Sequence, residues 1–258
     1  VNATEIQYLT HTWNPVKMRC KRVSEGCENC WHLTICDRLK RNPALSEEKR
    51  RAFAGEVDPF IDMDELDAPR KRRIPSIIGV QFMGDLFYEG NSPSMINTVF
   101  ATMLLARQHT FLVLTKRPER MVELYQHWWS WDNAPKHIWL GITAENQARF
   151  EERFQHLVKV PSRVKFISAE PLLGPINLGW WQWYIDWVIT GCESGPDRRY
   201  AHWDWFRELR DQCKHPRLKQ IPFFFKQGER LSGHIQSMPM LDGTVWDQFP
   251  EGVSHANL

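Results

Sequence analysis

Residues 111–119 read Phe111-Leu112-Val113-Leu114-Thr115-Lys116-Arg117-Pro118-Glu119. The apolar run from Phe111 to Leu114 suits a buried strand, the polar residues after it end the strand, and Pro118-Glu119 is the pair that opens a helix. A strand, a polar corner and a helix are thus written in nine consecutive residues.

The same unit recurs on both sides. Upstream, Ile77-Ile78-Gly79-Val80-Gln81-Phe82-Met83 is an apolar run, and behind the start signal Ser92-Pro93 the segment 93–108 repeats Met95, Val99 and Met103 at helical spacing. Downstream, the helix that follows 111–114 is expected over 119–129. Residues 138–142 then read as a strand and 146–158 as a helix with Phe150, Phe154 and Leu157 on one side. Further strands are expected at 164–167, 187–189 and 222–225, with a helix over 202–213. The connection between 164–167 and Trp187 contains Pro171, Gly174 and Pro175 and reads as a loop. Alternating strands and helices imply an α/β fold with a parallel sheet, and strands this apolar are buried on both faces. A closed or partial (β/α) TIM-like barrel fits best; a doubly wound sheet is the alternative.

Each apolar run ends in a chemically useful group. Asp85 follows the first, Thr115, Lys116 and Arg117 the second, and Thr143 and Glu145 the third. Ser168 and Glu170, Glu193 and Ser194, and Lys226 and Gln227 follow the rest. Ligands of parallel sheets gather at the carboxyl ends of the strands, so this succession reads as a ring of site residues. Helix caps and loop ion pairs are the plainer account of the same residues.

Ahead of the series lies Thr12-Trp13-Asn14-Pro15, then Cys20, Cys27 and Cys30 in a C-x6-C-x2-C spacing, with Trp31 and His32 next. The chain has six cysteines in 258 residues, three of them within this stretch, which is unlike the disulfide framework of a small secreted domain. Three thiolates on one loop can hold three irons of a cubane cluster and leave the fourth iron open. Zinc would need a fourth ligand from Cys36, His32 or His11, and only one C-x-x-C knuckle is present. A redox pair of Cys27 and Cys30 leaves Cys20 unexplained.

Composition is that of a globular protein, 42% hydrophobic and 25% charged, with a net charge of +2 that implies no polyanion partner by itself. Basic runs at Lys49-Arg50-Arg51, Arg70-Lys71-Arg72-Arg73 and Arg198-Arg199, and thirteen tryptophans including Trp128-Trp129, Trp131, Trp180-Trp181 and Trp183, leave nucleic acid open as a partner. No apolar run reaches the roughly 18 residues of a membrane span, and the first ten residues carry no signal-peptide pattern, so a cytoplasmic protein with no membrane partner is expected.

With these residues in view, the chain resembles the radical S-adenosylmethionine superfamily, and within it a phage-associated and bacterial family with the C-x6-C-x2-C motif. The resemblance rests on Thr12-Trp13-Asn14-Pro15, the three cysteines, Asp85-Leu86-Phe87, Leu114-Thr115-Lys116-Arg117-Pro118, Glu170-Pro171-Leu172-Leu173-Gly174-Pro175, Glu193-Ser194-Gly195-Pro196 and Phe223-Phe224-Phe225-Lys226-Gln227, and extends to Leu241-Asp242-Gly243 and Trp246. It implies a partial (β/α) barrel over 1–228, with a cluster loop at 12–36, a loop insertion at 42–75 and a C-terminal extension at 229–258 that wraps the barrel or covers its mouth. It further implies a [4Fe–4S] cluster on Cys20, Cys27 and Cys30 that cleaves S-adenosylmethionine to a 5′-deoxyadenosyl radical, which abstracts hydrogen from substrate. An electron donor such as flavodoxin or ferredoxin belongs to that chemistry, and phage association makes a nucleotide or nucleic-acid base a reasonable substrate class, with a peptide or small metabolite left open. Met83-Gly84-Asp85 lies where the superfamily places its Gly-Gly-Glu-like turn, so Asp85 is expected to meet the methionyl amine. Thr115, Lys116, Thr143, Ser168, Glu170 and Glu193 are expected around S-adenosylmethionine or substrate.

Two features depart from the superfamily. Its commonest cluster spacing is C-x3-C-x2-C with an aromatic before the last cysteine, whereas the first gap here is six and Trp31 comes after Cys30. Cys192 stands where relatives are expected to carry glycine, and reads as a small buried residue, with a substrate-facing thiol as the alternative. A zinc-stabilised nucleic-acid-binding module without radical chemistry is the alternative function.

Overall fold

A computed structural model describes residues 1–125, 129–230 and 232–252. Nine strands form one sheet in chain order: β1 (Asn2–Ala3), β2 (His11–Trp13), β3 (Ile77–Val80), β4 (Thr110–Thr115), β5 (Ile138–Thr143), β6 (Lys165–Ala169), β7 (Trp187–Gly191), β8 (Phe223–Glu229) and β9 (Ile235–Ser237). Strands β2 to β8 are all parallel; β1 and β9 run antiparallel at the two edges. A doubly wound sheet reverses its strand order at a switch point, and this order never reverses. The described sheet is open, with β1 and β9 as its edges, so the barrel expected from the sequence is not closed here.

The helices longer than one turn are α1 (Trp31–Leu39), α2 (Glu47–Ala54), α3 (Pro93–Leu105), α4 (Pro118–Tyr125), α5 (Gln147–Leu157) and α6 (Trp203–Cys213). Ser92 caps α3 by accepting the Met95 N–H, with Pro93 in the first turn, and Asn146 caps α5 by accepting the Arg149 N–H. α3 ends at Leu105, short of the expected 108. α4 is described to Tyr125, and the part of the expected 119–129 helix at 126–128, Trp128 included, lies outside the described residues. The link after β6 carries a short 3-10 helix, Gly179–Tyr184, in place of an α-helix.

Every long crossover helix packs on one face of the sheet. Ile96, Phe100, Met121, Phe150, Phe154, Phe206 and Leu209 share a buried cluster with Val80, Val113, Leu140, Ile167, Val188 and Phe225 from the strands. The opposite face holds a second cluster without a single helical residue, made of Tyr8, Ile77, Leu112, Trp139, Phe166, Trp187, Ile189 and Phe224. Phe166 reaches across because its neighbour on β5 is Gly141: a methyl there would stand 2.4 Å from the ring. This aromatic layer fills the amino-terminal half of the helix-free face. Side chains alternate along a strand, so the same face continues upward through Lys116, Thr143, Ser168 and Glu170, and is polar at the carboxyl ends.

The insertion at 42–75 is packed, not a free loop. Phe60–Ile61 pairs with Val16–Lys17, and Asp62 and Glu65 form ion pairs with Lys17. The described part of the C-terminal extension runs along β8: Phe225 N–H donates to the Trp246 carbonyl, and Phe249 packs on Trp187 and Phe224. Its last described residues therefore cover the amino-terminal half of the helix-free core, while Ile235–Ser237 pairs with the carboxyl half of β8; residues 253–258 lie outside the described set.

Candidate functional site

Parallel strands bring their carboxyl ends to one rim, and the cysteine loop lies across that rim. At β4, Arg117 follows Thr115 and Lys116. Its Nη1 donates to Cys20 Sγ at 3.6 Å and to Asp85 Oδ2 at 3.1 Å, and its Nη2 donates to the Lys21 carbonyl at 3.0 Å. At β5, the fully buried Glu145 accepts from the Ser24 hydroxyl at 2.6 Å and from Arg153 Nη1 at 2.6 Å. At β7, Glu193 accepts from Asn29 Nδ2 at 3.0 Å and from Arg199 Nη2 at 2.6 Å, while Arg199 also donates to the Glu25 carbonyl and to Glu28. Three strands thus hold the loop from Cys20 to Asn29.

The fit is close at Gly26, where an added methyl would come within 2.3 Å of Glu145 Oε1. Burial alone would raise the Glu145 carboxyl; Lys116, Arg153 and the Ser24 hydroxyl outweigh it, and the group lies below the ordinary glutamate range. Glu193 is also lowered, burial again being outweighed, here by Arg199 and Asn29.

Asp85 is fully engaged. Its Oδ1 accepts from the Phe87 N–H and the Thr115 hydroxyl, and its Oδ2 from the Lys116 N–H and Arg117. The turn that carries it is shaped by the Thr-Trp-Asn-Pro motif: Asn14 Oδ1 accepts the Met83 N–H at 2.8 Å, and Trp13 is buried in the core. Gly84 adopts φ 126°, open to glycine, and a methyl would touch the Met18 sulfur at 3.0 Å.

The expected site residues fall into four groups. Asp85, Thr115 and Lys116 meet through the bonds just given. Thr143 and Ser168 are cross-strand neighbours on the helix-free face, both nearly inaccessible, with the Lys116 ammonium 3.8 Å from Glu145 nearby. Glu170 is apart from both, bonded through Oε2 to Lys226 Nζ at 3.2 Å, while its Oε1 is buried with no hydrogen-bond partner among the described residues. Burial and the Glu170 carboxylate push the neighbouring Tyr8 phenol well above its ordinary value. Glu193 belongs to the loop anchor instead.

All six cysteines are free thiols. Burial pushes the Cys20 thiol up to about 12, with Asp85 adding to the effect and Arg117 opposing it; Cys27 is near enough to act on it as well. Cys36 is fully buried, 3.4 Å from His32 Nε2, which accepts the Cys20 N–H. Burial, aided by Arg19, lowers the His32 imidazole to about 4. The donor chemistry of three free thiols on one loop suits an iron–sulfur cluster. Among the described residues, no three His, Cys, Asp or Glu side chains converge as a metal site. Cys192 is buried at the end of β7.

Sequence reasoning missed Ser24, Asn29, Arg153 and the part played by Arg199, because their partners lie far away in the chain and no local pattern marks them. No described helix is long and apolar enough to cross a membrane. No curated protein and no solved structure matches the chain. Residues 3–250 match the family model described as "Protein of unknown function (DUF5131)", and the chain belongs to that family.

Proposed function

We propose that this chain is a radical S-adenosylmethionine enzyme with a partial (β/α) barrel, in which Cys20, Cys27 and Cys30 hold a [4Fe–4S] cluster. The observation that carries the reading is the strapping of the cysteine loop across the carboxyl ends of β4, β5 and β7, over the polar half of a helix-free face. When bound, such a cluster supplies the electron that cleaves the sulfonium carbon–sulfur bond of S-adenosylmethionine. The unreversed strand order with helices on one face is what the wall of a partial barrel requires.

The roles of the chain's own residues follow from their bonds. Arg117 donates to Cys20 and offsets the negative charge of a ligating thiolate. Asp85 has no acceptor to spare, so in this reading it positions Arg117 and Thr115 and does not meet the methionyl amine. Lys116, Thr143, Ser168 and Glu170 line the polar half of the helix-free face and are the residues assigned to S-adenosylmethionine or substrate in this reading. The substrate class we assign is a nucleotide or nucleic-acid base, with a flavodoxin- or ferredoxin-like protein as reductant. A zinc-stabilised binding module is the second reading, favoured by His32 and Cys36 lying side by side near Cys20.

Anaerobic reconstitution with iron and sulfide, metal analysis and an assay for 5′-deoxyadenosine separate the two. About four irons per chain with product formed supports the radical reading. One zinc per chain and no cleavage overturns it.

A further inference from the structure

We propose that the amino-end rim of the sheet, between β5 and β8, is a docking surface for single-stranded nucleic acid. This rim lies at the opposite end of the strands from the cysteine loop, and the proposal does not depend on the radical reading.

Two large indoles stand exposed there, Trp131 at 59% and Trp183 at 56%. They are linked by a chain of contacts. Lys165 Nζ lies 4.3 Å from the centre of the Trp131 ring, and the Lys165 N–H donates to Asp186 at 2.9 Å. Asp186 accepts from Lys219 Nζ at 2.8 Å, and Lys219 also donates to the Trp183 carbonyl at 3.4 Å. The neighbouring Trp180 is stacked at 3.9 Å on Trp181, which is itself packed on core Phe154. The Trp131 ring is therefore held against Lys165, and the backbone that carries Trp183 is held by Lys219.

The charge on the same rim is predominantly positive. At their amino-end parts the connections that lead into β5, β6, β7 and β8 carry Lys136, Lys159, Arg163, Lys214, Arg217 and Lys219 against Asp132 and Asp186, with Asp247 of the C-terminal segment beside β8. Lys136, Lys159, Arg163 and Arg217 are exposed, and among the described residues no carboxylate pairs with them. The contrast is with Arg117, Arg153 and Arg199 at the other end, which are paired with Asp85, Glu145 and Glu193. Helix dipoles favour cations after α5 and α6, but they account neither for Lys136 and Arg163 ahead of strands nor for the indoles. Unpaired cations beside flat apolar faces match the two demands of a single strand, whose phosphates need positive charge and whose bases need a stacking surface. Four adjacent strands at roughly 4.8 Å spacing make the rim about 15 Å long. At about 3.4 Å per stacked nucleotide that accommodates some four nucleotides.

The test is anisotropy of fluorescein-labelled oligothymidylate and oligouridylate, each of roughly 15 nucleotides, with the full chain. Binding is expected to weaken steeply between about 50 and about 200 mM salt. Trp131→Ala and Trp183→Ala should each weaken it by roughly 10-fold, the contribution of one stacked base. Both side chains are largely exposed, so an unchanged thermal midpoint shows that the fold is intact, and Lys136→Glu with Arg163→Glu provides an independent loss. Absence of binding at low salt overturns the proposal. So does binding that survives these four substitutions but is lost when the Arg70 to Arg73 run is neutralised.

Discussion

Ser24 and Glu145, 121 residues apart in sequence, are joined by a 2.6 Å hydrogen bond that fixes the cysteine loop to the end of β5. The carboxylate is fully buried and its other oxygen takes Arg153, itself 3% exposed. Removing one partner of such a pair leaves the other charge buried and uncompensated, at a cost of about 3–5 kcal/mol. Glu145→Ala is therefore expected to lower the urea unfolding free energy by that amount. Ser24→Ala, which removes a single hydrogen bond to a charged group, should cost about 1.5–3 kcal/mol.

The same carboxylate gives the fold an acid limb. Glu145 and Glu193 are held below the ordinary glutamate range, so the unfolded chain binds their protons more readily than the folded one. Their stabilisation is fully present above the unfolded value and disappears as pH falls through the lower folded value. The urea midpoint should therefore decline between about pH 5 and about pH 3, and Glu145→Gln should flatten that decline. An unaltered slope in the variant would show that Glu145 does not drive it.

The parallel strand series was legible in the sequence because buried strands of Ile, Val, Leu and Phe followed by polar corners leave a local signature. The strand His11–Trp13 left none: three residues are too few to show a period, and its pairing with β3 spans more than sixty residues. The polar strand ends were legible as a set, but not their use. Glu145 and Glu193 read as ligand-facing residues because nothing near them in sequence reveals Ser24, Asn29 or the buried Arg153. Three-dimensional partners decide whether a strand-end carboxylate is free, and those partners are chosen by the loop from Cys20 to Asn29.

Cys36 separates the two metal chemistries. It is fully buried on α1 beside His32, with its thiol pushed up to about 11 by burial, whereas Cys20 and Cys30 are partly accessible. A cluster on the C-x6-C-x2-C loop does not need it; a zinc site with four protein ligands does. Cys36→Ser should retain the iron content of the reconstituted protein, while Cys20→Ser, Cys27→Ser and Cys30→Ser each abolish it. Iron lost in all four variants would shift the assignment toward a four-ligand centre.

Gly26 offers a probe of the loop that leaves every charge in place. A methyl group there would sit 2.4 Å from Glu145 Cγ and 2.3 Å from Oε1, and the carboxylate is held from its far side by Arg153, so it has little room to withdraw. The loop must then lift. Cys27, 8% exposed in the native packing, should become reactive toward iodoacetamide in Gly26→Ala, read by mass spectrometry of the alkylated peptide. The core below is untouched by the change, so thermal stability should fall by only about 1–3 kcal/mol. The corresponding change at Gly141 presses a methyl into the Phe166 ring inside the aromatic layer and should cost at least as much stability without exposing Cys27. If Gly26→Ala left Cys27 as protected as in the native chain, the strand-end carboxylate would not be what holds the cysteine loop down.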